Sequence, residues 1–277
     1  MNPISTVAVA WDVCAWFALA GVYSGFLSGL LGIGGAFVLV PSFLAIFHFY
    51  YHFDNNFTEP LALGTTMACM VVNAVCSTLA QHRRCSVAWE VLIDCWPLLC
   101  LGTAMGVFLA SRISAVVVQA AFAANCIYSG LRMTLGNSHS ARPPQGSASR
   151  PTIFLFSASC GLLGTGGANL FVPYFMRSMG LDLRKAMGTA SAFQIPVSIV
   201  GTVGFVAAGL IGVLVRGDAG AIRFVFVPAW LLVSIVSPYF NHLGVVMAHR
   251  LAARRLKALF GTFTLLVGLK MLHGALA

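Results

Sequence analysis

Long apolar runs separated by short polar or charged stretches set the pattern of the chain. A first apolar block covers residues 13–49, and shorter segments follow near 61–81, 87–110 and 113–135. The second half runs the same way, with a block at 152–176 and segments near 186–211, 224–247 and 256–272. Roughly 20 apolar residues in helical form cross a bilayer, so these segments are read as membrane helices. Between the halves, residues 136–150 read GNSHSARPPQGSASR, rich in Ser, Pro and Gly and too polar to enter lipid. The expected organisation is therefore a first transmembrane repeat at 1–135, a linker at 136–150 and a second repeat at 151–277.

The repeat is visible in residues as well as in hydropathy. Gly29, Leu30, Leu31, Gly32, Gly34, Gly35, Ala36, Val40 and Pro41 recur 132 positions later as Gly161, Leu162, Leu163, Gly164, Gly166, Gly167, Ala168, Val172 and Pro173. Gly64-Thr65 recurs as Gly188-Thr189, and Ala110, Arg112, Gly130, Leu131 and Met133 recur as Ala248, Arg250, Gly268, Leu269 and Met271. Internal duplication in a polytopic chain is the construction plan of many secondary transporters, whose substrate site lies where the repeats meet.

Composition excludes a soluble globule. Of 277 residues, 59% are hydrophobic and 8% charged, against about 25% charged in a typical soluble domain. The net charge of +9 does not point to nucleic acid, because no basic run is interleaved with aromatics. Anionic lipid and cytoplasmic loops account for it better. The eight cysteines include no CxxC pair and fall mostly in apolar runs, as small reduced core residues do. No Lys/Arg-rich start precedes the first apolar segment, which is expected to be retained rather than cleaved.

Charge also orients the halves. If each long block crosses once, the halves are parallel and the Lys and Arg residues divide 8 to 8 between the two faces; if each block returns to its own side, the halves are inverted and the division is 12 to 4. The positive-inside rule selects the second. The expected fold is thus all-α and polytopic: two inverted repeats, each a Gly-broken helix pair plus three transmembrane helices, with both termini outside and the linker in the cytoplasm. A loop carrying Asp54 and Glu59 is expected outside.

The glycine motifs carry the strongest chemical signal. Glycines destabilise a helix by roughly 1 kcal/mol each, and unpaired backbone in hydrocarbon costs several more, so Gly32, Gly34 and Gly35, like Gly164, Gly166 and Gly167, predict a break that lines a cavity. A half-helix starting after such a break points free N–H groups and a positive dipole end into the membrane, and two of them converging would hold an anion without a buried cation. The blander reading is close helix packing through small residues, in which Gly25 and Gly29 would serve. A phosphate loop fails on context, since no Lys-Ser/Thr follows and no acidic ribose partner accompanies it.

Thr65 and Thr66, and Thr189 and Ser191, open apolar segments, where hydroxyls either bond a ligand oxygen or cap a helix and bond back to an i−4 carbonyl. Asn73, Asn169 and Gln194 are the neutral polar side chains in apolar context, and interhelical hydrogen bonding competes with substrate contact for each. Glu90 and Asp94, one turn apart, read as an interfacial polar face in preference to a proton site, and His242 is the candidate pH-sensitive group beside a packing role. His82-Arg83-Arg84 and His249-Arg250 follow from topology. The lack of a clear buried carboxylate argues against tight proton coupling. No HExxH, GxSxG or clustered Cys/His suggests an enzyme, a metal or a cofactor.

The paired GLLGIGGAFVLVP and GLLGTGGANLFVP, together with Gly64-Thr65-Thr66, the run Lys185-Ala186-Met187-Gly188-Thr189-Ala190-Ser191 and Gln81-His82-Arg83-Arg84, resemble the sulfite exporter TauE/SafE family over nearly the whole chain. The resemblance implies a bacterial inner-membrane permease for sulfur-containing anions such as sulfite or organosulfonates, often in efflux. Two departures bear on the size of the site. Ala36 and Ala168 stand where the family commonly has a further glycine, and Gly64-Thr65-Thr66 replaces Gly-Thr-Ser. A passive anion channel, or a membrane assembly partner without transport, stays open as an alternative, as does a homo-oligomer.

Overall fold

The computed structural model describes residues 11–32, 34–51, 55–113, 115–135, 149–216 and 225–276. Those residues form ten α-helices: α1 (Trp11–Leu31), α2 (Ala36–Phe49), α3 (Asn55–His82), α4 (Trp89–Ala110), α5 (Ala115–Leu135), α6 (Arg150–Leu163), α7 (Ala168–Ser178), α8 (Leu183–Arg216), α9 (Val227–Arg250) and α10 (Ala253–Leu276). Each apolar block becomes a helix pair divided at its glycines, and each shorter segment a single helix. The linker lies outside the described residues except Ser149 and Arg150, which open α6 with Pro151 in its first turn, where a missing N–H costs nothing.

Five helices among the described residues are long and apolar enough to cross a bilayer: α1, α3, α4, α8 and α9. Ile93, Leu101, Val203, Ile235 and Leu266 point outward with more than half their surface exposed, as a lipid-facing belt requires. By contrast α6 has 14 residues and α7 has 11, so at 1.5 Å per residue neither covers the roughly 30 Å hydrocarbon core alone. The chain folds back at each break. Phe17 of α1 meets Phe43 and Phe47 of α2 at 5.9 and 6.3 Å, and Phe156 of α6 meets Phe171 and Tyr174 of α7 at 5.9 and 5.7 Å.

Packing follows the repeat. Helix α1 lies along α9 as α6 lies along α4, and α2 and α7 pack on α3 and α8. A Cβ at Gly29 would strike the Asn241 carbonyl, and one at Gly244 the backbone of Phe26 and Leu30; in the other half a Cβ at Gly106 would strike the backbone of Ala158 and Leu162. Small residues here let backbones touch, which is the packing reading of Gly25 and Gly29. The counterparts α3 and α8 cross antiparallel at the centre: Ser77 bonds Ser191 at 3.2 Å while Gly201 lies against Met67. Residues 61–70 of α3 are buried without exception. Helices α5 and α10 also pair antiparallel, Gly130 lying on Leu265 and Gly268 on Ile127.

Candidate functional site

Both breaks form where the glycines predict them. Gly32, Gly34 and Gly35 have φ of 70, 72 and 80°, and Gly164 and Gly167 have 63 and 72°. That left-handed conformation costs a residue with a Cβ about 1–2 kcal/mol. Gly35 and Gly167 are the N-caps of α2 and α7, and neither start has a side-chain cap. In α7 the first helical bonds run from the Leu170 and Phe171 N–H groups to the Gly167 carbonyl at 2.9 and 2.8 Å, which leaves the Ala168 and Asn169 N–H groups without a partner inside the helix.

The two breaks converge. Gly34 and Gly166 both lie against the same two side chains, Met70 of α3 and Gln194 of α8. These occupy equivalent positions in the two repeats, six residues past Gly64 and six past Gly188. Gln194 Nε2 donates to the Gly32 carbonyl at 2.6 Å, and Ser191 Oγ to the Met187 carbonyl at 3.0 Å. Every Lys and Arg whose burial the structure describes is exposed, and the helix starts bring positive potential to the convergence.

The duplicated threonines play matching parts. Thr65 Oγ1 donates to the Leu61 carbonyl at 2.6 Å and accepts the Phe226 N–H at 2.8 Å, while Thr189 Oγ1 accepts the Ala88 N–H at 3.0 Å. Phe226 and Ala88 are the N-caps of α9 and α4. Each hydroxyl therefore pins the start of a helix that walls the centre. Thr66 differs: it is fully buried and its hydroxyl has no partner. One face of α3 carries Thr66, Met70, Asn73 and Ser77 at helical spacing. Asn73 is fully buried with neither its amide oxygen nor its nitrogen bonded. Beside it, Asn241 of α9 donates to Ser28 Oγ at 3.2 Å and to the Asn73 carbonyl at 3.4 Å, leaving its own Oδ1 unpaired. A buried polar atom left unpaired costs about 1–3 kcal/mol, so these amides stand ready for a ligand or water.

The remaining candidates lie elsewhere. Asn169 bonds Asn125 and Ser129 of α5, an interhelical role. His242, Glu90 and Asp94 are exposed. His82 accepts from Trp89 at 3.0 Å and His249 pairs with Gln81 at 3.0 Å, both where helices end. Glu59 departs from expectation. It lies in the first turns of α3, 5% exposed, instead of in an outer loop; Asp54 lies outside the described residues. Pro60 and the neighbouring Asn and Asp residues read as a loop, yet α3 runs through Pro60, which lies inside the helix.

The profile of the sulfite exporter TauE/SafE family matches residues 17–271, from the first third of α1 to the last turns of α10. The chain belongs to the sulfite exporter TauE/SafE family. A probable membrane transporter protein of Haemophilus influenzae is 24% identical over 259 residues, covering 91% of this chain and 96% of that protein. A probable membrane transporter protein of Methanocaldococcus jannaschii is 22% identical over 261 residues, covering 92% and 93%. No solved structure matches. The TauE/SafE match spans both breaks and all the helices that wall them, so the convergence lies wholly inside the part of the chain that defines membership. The family and the names of these relatives make this chain a membrane transporter.

Proposed function

We propose that the chain is a secondary transporter moving a small sulfur-containing anion, such as sulfite or an organosulfonate, outward across a bacterial inner membrane. The anion sits between the two breaks, near Gly32, Gly34, Gly35, Gly164, Gly166 and Gly167. Backbone N–H groups at the starts of α2 and α7 face it, with Thr66, Ser191, Gln194 and Asn73 as side-chain partners; Thr65 and Thr189 hold the walls. No cofactor takes part. The single observation that carries this reading is the approach of both breaks to one pair of side chains, Met70 and Gln194.

The halves are read as inverted in the membrane, with both termini outside. Supporting this, counterpart helices α3 and α8 cross antiparallel, as do α5 and α10, and the 12-to-4 division of Lys and Arg favours it. Access then alternates as one half rocks on the other. The test replaces Gly35 or Gly167 by Leu in protein shown to be inserted and monodisperse. Loss of labelled-sulfite counterflow in liposomes is expected, and counterflow at the wild-type rate overturns the proposed site.

A further inference from the structure

Glu59 stands apart from every other acidic residue that the structure describes. Asp12, Glu90, Asp94 and Asp182 are exposed, whereas Glu59 is 5% exposed and its Oε1 has no hydrogen-bond partner. It lines a small, half-open pocket, with about 10 Å³ of free volume, between α2, α3, α5, α6 and α10. The described side chains that these neighbours bring to the pocket include Val40 and Leu44 of α2, Phe122 of α5, Leu163 of α6 and Met271 of α10. None is charged or titratable, and Gln119 of α5 is the one polar group among them. No cation among the described residues offsets the carboxyl.

The fold does not require a carboxyl here. The equivalent position in the second repeat, five residues before Gly188 as Glu59 is five before Gly64, is Leu183, also buried. A neutral carboxyl is tolerable in such a pocket with an amide beside it. An ionised one without a cation costs several kcal/mol, so charge there depends on whether water reaches the pocket. Ionisable groups inside membrane helices mark proton and ion pathways for this reason. The pocket is also tied to the anion site, because Val40 and Leu44 lie one and two turns along α2 from its start at Gly35. Whatever shifts α2 at its N-terminus moves a wall of the Glu59 pocket.

We propose that Glu59 is the proton-binding group of this transporter, taking a proton on its carboxylate when the pocket opens to water on one side and releasing it to water on the other, so that anion movement is coupled to proton movement. The proposal rests on the transporter reading above, and it replaces the expectation of no tight proton coupling with a specific carrier. Only a proton changes hands: one carboxylate O–H bond forms and later breaks, with water as donor and acceptor.

Two measurements on the full chain in liposomes test it. With labelled sulfite as probe and a pH gradient imposed, the wild type accumulates the anion above equal concentrations, while Glu59→Gln still exchanges it at equal pH but no longer accumulates it. Glu59→Asp restores part of the accumulation, which separates proton carriage from packing. Accumulation by Glu59→Gln at the wild-type level overturns the proposal, as does a wild type that exchanges sulfite but never responds to the gradient. In infrared titration of the same preparations, a protonated-carboxyl band present in the wild type and absent from Glu59→Gln supports the assignment, and identical titrations overturn it. Should no sulfite move at all, the substrate reading falls while the infrared result still decides Glu59.

Discussion

Two faces of the molecule share one architecture and differ in chemistry. Where α1, α3 and α9 meet, the buried positions are Ser28, Asn73 and Asn241; at the equivalent meeting of α6, α8 and α4 they are Cys160, Val197 and Thr103. On the first face three amide atoms lack partners. On the second, Thr103 Oγ1 is satisfied by the Leu99 carbonyl at 2.7 Å and nothing polar remains at these positions. The backbone contacts are nonetheless the same, Gly244 seated on Phe26 and Leu30 and Gly106 on Ala158 and Leu162. Duplication supplies the scaffold twice, and only the first copy has amides at these positions, while the second has the satisfied Thr103 with Ser157 bonded beside it to the Leu98 and Phe154 carbonyls. Glycine–backbone contacts are therefore read as fold, and the unpaired amides as function.

That comparison breaks if the glycine contacts are not equivalent. Gly244→Val and Gly106→Val each drive a branched side chain into facing backbone, a loss put at more than about 3 kcal/mol, beyond ordinary overpacking. Both variants are expected to fail as monodisperse protein in detergent size-exclusion chromatography. Survival of one alone would show that the halves do not bear the same load.

The polar face is sharpened by removing its amide. Asn73→Leu eliminates two unpaired buried atoms, so thermal stability holds or rises, while anion counterflow falls at least about tenfold, the equivalent of 1.4 kcal/mol. Thr103→Val on the opposite face, with its internal bond lost but no ligand role, leaves counterflow within about twofold of the wild type and lowers stability by about 1 kcal/mol. Equal transport defects in the two would erase the distinction.

The smallest effects belong to the duplicated threonines. Thr65→Val and Thr189→Val each remove a hydroxyl that accepts the N-cap N–H of α9 or α4, at about 1 kcal/mol. For a chain this long that is a fall of roughly 2–4 °C in Tm, read in a thermal melt, with the apparent KM for the anion unchanged. A KM shift larger than the stability loss would return the threonines to the binding site.

What the sequence revealed, and what it hid, follows the range of the interactions. Helix breaks are local, so Gly32 to Gly35 and Gly164 to Gly167 could be located from the residues alone, and each apolar segment became one helix. The use of Gly29 depends on Asn241 and that of Thr65 on Phe226, 161 positions away, so a packing glycine and a ligand glycine look alike in one dimension. Asn73 and Asn169 look alike too; only the partners of the side-chain nitrogen, Asn125 and Ser129 for Asn169 and none for Asn73, separate them. Glu59 was hidden by polar and proline neighbours that mark a loop, although α3 begins at Asn55 and carries the carboxyl indoors.

The central claim is that an anion binds between two converging helix starts and is carried rather than conducted. Counterflow in liposomes tests it most directly, with purified protein loaded in turn with unlabelled sulfite, sulfate, taurine or sulfoacetate and presented with trace label outside. The account predicts saturable, transient accumulation of label for one of these anions, driven by the unlabelled pool. Flux that rises linearly without saturation, accompanied by ohmic single-channel currents in a planar bilayer, would contradict it.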